Sequence, residues 1–205
     1  MSNIIDPRFF GEAFVTLFVI MDPPGGVPVF LALMAGRSGR ARRRAAWQAV
    51  VVAFGVICSF AIFGQTILDY LGIGIPALQG AGGLLLLLVA LDLLTGRAEE
   101  PQQVEDVNVA LVPLGTPLLA GPGAIVATIV FVRRANGTAD LVALAAAITA
   151  VHVTLWLVLR FSEVIIRVLR DSGIVLLTRI AGLLLSAIAV QLVADSVLGF
   201  VAQAR

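Results

Sequence analysis

The sequence predicts an all-α membrane protein with six transmembrane helices, arranged as two inverted three-helix repeats whose first helices (the first and the fourth of the chain) are broken. Three observations predict this fold class. Of the 205 residues, 60% are hydrophobic, and the mean hydropathy of +1.03 lies well above that of soluble domains. The apolar residues form six runs, each long enough to cross a bilayer core of about 30 Å. Strings of proline and glycine interrupt the first and the fourth run.

Charged residues make up 13% of the chain and lie mostly between the apolar runs, so we expect residues 1–205 to form a single integral membrane domain. The N-terminal residues lack the basic region of a cleavable signal, which predicts that the first run stays in the mature protein. A segment after the fifth run, Phe161–Arg170, has the alternation of an interfacial helix. The six predicted helices are Phe9–Ala35, Ala45–Leu71, Pro76–Thr95, Val107–Val132, Ala139–Leu159 and Ile174–Phe200.

The two halves of the chain resemble each other. A shift of 99 residues places Gly83 and the leucines after it on Gly182 and the leucines after it. The most polar connection, Gly96–Asp106, separates a first repeat of about residues 9–96 from a second repeat of about residues 107–200. Each repeat contains three crossings, an odd number, so the second repeat must enter the membrane inverted relative to the first.

The arginines predict the orientation. All 14 basic residues are arginine, and ten of them fall on one side of the predicted membrane. By the positive-inside rule that side is cytoplasmic, which places both termini outside the cytoplasm of a bacterial inner membrane. The ten are Arg37, Arg40, Arg42, Arg43, Arg44, Arg97, Arg160, Arg167, Arg170 and Arg179, and the other four are Arg8, Arg133, Arg134 and Arg205.

The two interruptions predict a substrate-binding site. Proline removes a backbone donor and glycine tolerates the dihedral angles that result, so neither run can be a continuous helix. Non-helical backbone at membrane depth survives only against protein or a water-filled cavity, and matched breaks in two halves indicate the binding site of a transporter. The candidate binding residues are Asp22, Pro23, Pro24, Gly25, Gly26, Pro28, Thr116, Pro117, Gly121, Pro122 and Gly123.

The chemistry of the breaks favours a small zwitterion or a weak anion. Helices that restart after Gly26 and after Gly123 would present unpaired N–H groups and positive dipole ends near mid-membrane, where they could hold a carboxylate. Pro28 suits an early helical position that needs no N–H, and Thr116 can add a hydroxyl donor. No arginine lies in either break.

Asp22 is the only carboxylate within a break, and the sequence leaves its role open. It could cap the restarting helix, as aspartate often does, or hold a substrate ammonium, or carry a coupling proton or sodium ion. Asp92, Gln191 and Asp195 are further candidates for coupling or gating, with interhelical hydrogen bonding as the simpler interpretation.

The two strings, Asp22–Phe30 and Pro117–Ile125, resemble the two signatures of the MarC family of bacterial membrane proteins, and Arg179–Gln191 resembles its last helix. The resemblance covers essentially the whole chain. It implies six helices in inverted repeats, akin to amino-acid exporters of the LysE type, and it implies transport of small neutral amino acids, as described for some relatives. The double proline Pro23-Pro24 followed by Gly25-Gly26 departs from the usual family pattern.

We therefore expect a secondary transporter of small neutral amino acids, with export as its direction. Its expected partners are membrane lipids, a small-molecule substrate and, in a homo-oligomer, a second copy. The alternatives are a transporter of another small anionic or lipid-linked metabolite, using the same helix ends and the arginine rim, and a non-transporting membrane scaffold. The chain carries no catalytic motif, so we do not expect an enzyme. A net charge of +1 indicates no nucleic-acid partner, and one cysteine with one histidine indicates no metal site and no cofactor beyond a coupling ion.

Overall fold

The computed structural model describes residues 5–96 and 119–203, and every regular element in these two ranges is an α-helix. Asp6 caps the first helix by accepting hydrogen bonds from the N–H groups of Arg8 and Phe9, and Ser38 caps the third through Ala41. The helices are α1 (Pro7–Met21), α2 (Pro23–Leu33), α3 (Gly39–Tyr70), α4 (Ile75–Thr95), α5 (Pro122–Arg134), α6 (Thr138–Arg160) and α7 (Ser162–Gln203).

Five segments of the described chain are long and apolar enough to cross a membrane, which confirms an all-helical membrane protein. With its 13 residues, α5 spans only about 20 Å and is too short to cross alone. The first part of the predicted fourth helix, residues 107–118, lies outside the described residues, so six helices in inverted repeats stay a prediction. The five segments are Pro7–Leu33, Gly39–Leu71, Ile75–Thr95, Thr138–Arg160 and Ser172–Gln203.

The fourth and fifth of these segments are separated by the short helical stretch that begins α7. Arg170 has a left-handed φ of 54° and kinks α7 there. The residues before the kink include Phe161 and Val164, which are exposed, and the charged Glu163 and Arg167. This is the amphipathic segment that the sequence predicts for the membrane interface.

The main core lies between α1, α2, α3, α5 and α6. Its helices pack in the pairs α1 with α6, α3 with α6 and α3 with α5, while α4 packs mainly against α7. The side chains of Phe30, Ile57, Val151 and Leu155 are almost completely buried in it. Most residues of α5 are buried too, so this short helix lies inside the bundle rather than on its surface.

Interhelical contacts define the two ends of the bundle. At one end, Arg134 of α5 pairs with Glu12 of α1, and Arg133 pairs with Asp69 near the end of α3. The start of α4 contacts the end of α7 there, through Pro76 and Gly199. We call this the terminal end, because α1 begins and α7 ends at it.

The opposite end carries most of the described arginines. Arg42 near the start of α3 pairs with Glu163 near the start of α7. We call it the arginine-rich end; its arginines are Arg37, Arg40, Arg42, Arg43, Arg44, Arg160, Arg167 and Arg170.

Helices α4 and α7 run antiparallel and approach closely at glycines. A Cβ atom added at Gly83 would lie 2.8 Å from the carbonyl oxygen of Ala189, and one added at Gly182 would lie 3.3 Å from the carbonyl oxygen of Ala90. Small residues at these positions let the two backbones meet, as is typical of helix packing in membranes.

Candidate functional site

The first break is centred on Asp22, which belongs to both adjoining helices. Its φ of 38° and ψ of 67° are left-handed, a conformation that aspartate tolerates better than most residues. Its N–H donates to the carbonyl of Phe18 at 3.1 Å and so ends α1. Its Oδ1 accepts from the N–H of Gly25 at 3.2 Å and so caps α2. Helix capping therefore accounts for the backbone of Asp22 and for one of its two carboxylate oxygens.

The helix restarts at Pro23 and not after Gly26, so the predicted start was wrong by several residues. Pro23 and Pro24 occupy its first two positions, where a missing N–H costs nothing. Pro28 is consequently the sixth residue of α2 and lies inside the helix, not at an early position as the sequence predicts.

The early start removes the free donors that the sequence predicts for α2. Pro23 and Pro24 have no N–H. The N–H of Gly25 donates to the Asp22 side chain, and that of Gly26 donates to the Asp22 carbonyl at 3.1 Å. In this conformation the N-terminus of α2 is satisfied by Asp22 and offers no N–H to a ligand.

The second break has a different cap. Gly121 is the N-cap of α5, has no side chain and makes no capping hydrogen bond, and the helix begins at Pro122 rather than after Gly123. The N–H groups of Ala124 and Ile125 both donate to the carbonyl of Gly121. The N–H of Gly123 has no such partner among the described residues, and no described side chain caps the positive dipole end of α5. The predicted site residues Thr116 and Pro117 lie outside the described residues.

The two breaks are neighbours. A Cβ atom added at Gly123 would overlap Leu86 Cδ2 of α4 and would lie 3.4 Å from Ile20 Cγ2, two residues before Asp22. Helix lengths give the same result, since the 15 residues of α1 and the 13 residues of α5 place both breaks about 20 Å from the terminal end. From this level α2 runs toward the arginine-rich end and α5 runs toward the terminal end.

The side chain of Asp22 is the main polar group at this level. The residue is only 8% exposed, and its Oδ2 has no hydrogen-bond partner among the described residues. A buried carboxylate oxygen without a partner is strongly unfavourable in an apolar surrounding. The second oxygen is thus available to a proton, a cation or an ammonium group.

His152 is a second buried polar residue, on α6. Its Nδ1 lies 2.8 Å from the carbonyl oxygen of Ile148, and a carbonyl only accepts, so Nδ1 carries the hydrogen. Its Nε2 has no partner among the described residues. The ring meets Phe54 of α3 edge to face with centroids 5.1 Å apart, which places His152 between α3 and α6.

The three further candidates for coupling or gating are not brought to the breaks as one group. Gln191 Nε2 donates to Asp195 Oδ1 at 2.8 Å, so these two form a pair on one face of α7. Asp92 is exposed and lies one turn before the end of α4. Because α4 and α7 are antiparallel, Asp92 is near the arginine-rich end and Asp195 is nearer the terminal end.

A cavity of about 470 Å³ opens at the terminal end, away from the breaks. Three arginines and three acidic residues line it, and its Glu12 side chain bridges two of the arginines. The sequence analysis missed this cluster, because its residues come from the start of the chain and from around the connection between α5 and α6, more than a hundred residues later. Its charged lining residues are Asp6, Arg8, Glu12, Arg133, Arg134 and Asp140.

The sequence analysis also missed two residues that contact the breaks from other helices. Leu86 covers Gly123, and Thr178 of α7 lies beside Gly25. Neither carries a signal in the sequence, since leucine fills α4 and a single threonine in a long apolar helix usually bonds to its own backbone. Among the described residues, no group of three or more His, Cys, Asp or Glu side chains could hold a metal ion.

These features define a polytopic α-helical membrane protein whose first apolar run is broken at Asp22, next to the start of α5 inside the bundle. Residues 7–201 match the MarC family of integral membrane proteins. The chain belongs to this family, and the resemblance seen in its proline–glycine strings is confirmed.

Relatives share nearly the full length. A UPF0056 membrane protein of Methanocaldococcus jannaschii is 36% identical, with 95% of this chain and 98% of the relative covered. A UPF0056 membrane protein of Aquifex aeolicus is 40% identical over 91% of each chain. The UPF0056 membrane protein YhcE of Escherichia coli is 31% identical, with 97% of this chain and 96% of the relative covered. No solved structure matches this chain.

Proposed function

We propose that this protein is a secondary transporter of small neutral amino acids, and that it binds its substrate between the two breaks. The observation that carries the proposal is the buried, unpartnered Oδ2 of Asp22 close to the uncapped start of α5. An anionic oxygen and a positive helix end at one level of a membrane protein suit the two charges of a zwitterion.

Each break binds one of the two charged groups of the substrate. The carboxylate binds at the start of α5, where the N–H of Gly123 has no partner among the described residues and the helix dipole supplies positive potential. The ammonium binds at Asp22. This differs from a cradle made by two helix starts, because the donors of α2 are already bound to Asp22. In the described conformation Leu86 covers Gly123, so substrate entry requires α4 and α5 to separate or Leu86 to rotate.

Inverted repeats fit the helix boundaries and contacts. Helices α2 and α5 start 99 residues apart, at Pro23 and Pro122, and α3 and α6 start 99 residues apart, at Gly39 and Thr138. The contacts of α2 with α6 and α7 correspond to those of α5 with α3 and α4. The approach of Gly83 to Ala189 corresponds in the same way to that of Gly182 to Ala90. These relations support a two-fold axis in the membrane plane between α4 and α7.

The orientation follows from the two ends. The arginine-rich end faces the cytoplasm of a bacterial inner membrane, by the positive-inside rule, and both termini face outward. Export is the direction we propose for the physiological flux, coupled to protons or sodium ions. The protein performs no chemical conversion of its substrate.

A second copy is the partner that the surface of α7 favours. Gln191 is exposed well inside this apolar helix, and amides in membranes are stabilised by hydrogen bonds across helix interfaces. We propose a homo-oligomer in which this face of α7 contacts a neighbouring copy.

A second substrate class has one observation in its favour. The cavity at the terminal end brings together Arg8, Arg133 and Arg134. These three arginines lie at the end of the bundle that carries fewer arginines. Guanidinium groups bind phosphate and carboxylate well. A small anionic or lipid-linked metabolite is therefore the alternative substrate.

Substrate counterflow tests the proposal. The purified protein is reconstituted into liposomes loaded with unlabelled glycine, alanine or serine, and uptake of the labelled amino acid is measured with and without a proton or sodium gradient. We expect uptake above that of empty liposomes, and near-wild-type uptake in Gly55→Ala, because a Cβ atom at Gly55 of α3 meets nothing within 4 Å. Folded protein that shows no counterflow of any neutral amino acid would contradict the proposal, and counterflow of a phosphorylated or lipid-linked anion alone would favour the alternative.

A further inference from the structure

Gly25 lies at the contact between α2 and α7, and two oxygen atoms from different helices converge on it. A Cβ atom added there would overlap Asp22 Oδ2 and would lie 3.2 Å from Thr178 Oγ1. Only a glycine leaves room for the carboxylate to fold back over the first turn of α2 in this way. The two oxygens are therefore no more than about 5 Å apart, a separation at which one small ligand can touch both.

These two oxygens do not bond to each other. Asp22 Oδ2 has no hydrogen-bond partner among the described residues, although the residue is more than nine-tenths buried. Burying such a group is unfavourable unless something pairs with it. Its neighbours Gly25 and Gly26 cannot pair with it, because their N–H groups are held by Asp22 Oδ1 and by the Asp22 carbonyl.

We propose that Asp22 Oδ2 and Thr178 Oγ1 together bind one small monovalent cation, which is a sodium ion or the ammonium group of the substrate. Both candidates are small and positive and take oxygen ligands. An anion is excluded from this position by the carboxylate itself. Through Thr178, α7 then contacts the cation that is bound in the first break.

This assignment rests on the proposed function, since it adds a ligand to the same break. It goes further in two respects: it places a residue of the second half of the chain in a site formed by the first half, and it assigns a binding role to a hydroxyl group. Occupancy would pull α7 toward α2 at Gly25, so it would favour the conformation in which the two helices are in contact.

Ligand-dependent thermal stability of the full-length protein in detergent tests the assignment without requiring transport. The unfolding midpoint is followed by the fluorescence of Trp47 and Trp156 in sodium chloride, in methylammonium chloride and in choline chloride of equal ionic strength. A ligand that binds only the folded state raises this midpoint as its concentration increases.

The variants separate the hydroxyl from the packing at this position. Thr178→Val keeps the shape but lacks the hydroxyl, and Thr178→Ser keeps the hydroxyl. Thr149→Val is the matched control, because the Thr149 hydroxyl is exposed and donates to its own helix at Ala145. Gly25→Ala and Gly55→Ala form a second pair, since a Cβ atom collides with Asp22 at Gly25 and meets nothing within 4 Å at Gly55.

We expect sodium or methylammonium to stabilise the wild type more than choline does. The affinity should fall about tenfold in Thr178→Val, as for loss of one hydrogen-bonding group to a charge, and should be retained in Thr178→Ser, Thr149→Val and Gly55→Ala. Stabilisation by sodium alone identifies a coupling-ion site, and stabilisation by methylammonium alone identifies the substrate's ammonium. No cation effect in the wild type, or an equal effect in Thr178→Val, would overturn the assignment.

The same measurements keep this inference apart from the proposed function. Cation binding that depends on Thr178 in a protein without amino-acid counterflow would leave the site standing and remove the transport proposal. Amino-acid counterflow without an effect of cations on thermal stability would support the transport proposal and remove the cation site.

Discussion

Leu86 of α4 lies directly over Gly123, the second residue of α5: a Cβ atom added at Gly123 would overlap Leu86 Cδ2 and come within 3.0 Å of Leu86 Cγ. The contact covers the N-terminus of α5 in this conformation. Because the obstructing atom is the end of a flexible side chain, and not backbone, the closure can be reversed by rotation of one leucine.

Replacement of Gly123 by valine should abolish amino-acid counterflow. The branched side chain would fill the space between Leu86 and Ile20 and block the N–H of Gly123. The measurement is counterflow in liposomes, with thermal stability in detergent measured in parallel. The double variant Gly123→Ala with Leu86→Ala separates blocked access from damaged packing. It should be at least as stable as Gly123→Ala alone, because the smaller side chain removes the overlap. A fully active Gly123→Val protein would remove the start of α5 from the binding site.

Substitution of Asp22 by asparagine should preserve the fold and impair transport. Asparagine caps a helix about as well as aspartate and tolerates the left-handed φ of 38°. The amide, however, cannot balance the charge of an ammonium group or a sodium ion. Asp22→Ala should be less stable than Asp22→Asn by about 1 kcal/mol, as for loss of a cap. The measurements are the unfolding midpoint and counterflow for each protein. Normal counterflow in Asp22→Asn would assign to Asp22 a capping role only.

Much of the fold could be predicted from the sequence because the signals are local. The string of prolines and glycines from Asp22 to Pro28 marks a break in the first run, and runs of about 20 apolar residues mark the spans. The error at Pro28 has the same local origin. Three prolines lie close together, and the sequence does not tell which of them begins the helix.

The composition of the site could be predicted only in part, because its contacts are between helices. In a membrane helix the lipid-facing and buried sides are both apolar, so periodicity does not indicate that Leu86 faces Gly123 or that Thr178 faces Gly25. The donors of α2 were misjudged for a related reason. Their occupation by Asp22 depends on the left-handed backbone at that residue, which no local pattern in the sequence demands.

Reporter fusions should place the two ends of the bundle on opposite sides of the membrane. Ser38 precedes α3 at the arginine-rich end, and Asn136 precedes α6 at the terminal end. A fusion after Ser38 should report cytoplasm and a fusion after Asn136 should report the exterior, because arginines are retained on the cytoplasmic side. The assay pairs a reporter active only in the cytoplasm with one active only outside. The same location for both fusions would contradict the proposed inverted repeats.

Alanine substitutions at three glycines should rank in stability according to the space at each position. At Gly83 the added carbon would lie 2.8 Å from the backbone oxygen of Ala189, which cannot move without shifting α7. At Gly182 the nearest atom is Leu94 Cγ at 3.1 Å, a side-chain atom that can shift slightly. At Gly55 of α3 nothing lies within 4 Å, so alanine there should be neutral or stabilise the helix by up to about 1 kcal/mol.

We therefore expect Gly83→Ala to lower the free energy of unfolding by about 1–3 kcal/mol, the usual cost of overpacking, Gly182→Ala to lower it less, and Gly55→Ala to leave it unchanged or raise it. Unfolding of the purified protein in mixed micelles by increasing denaturing detergent measures all three. A Gly83→Ala protein as stable as Gly55→Ala would show that α4 and α7 do not meet at this glycine. It would also remove the contact that corresponds, across the proposed two-fold axis, to that between Gly182 and Ala90.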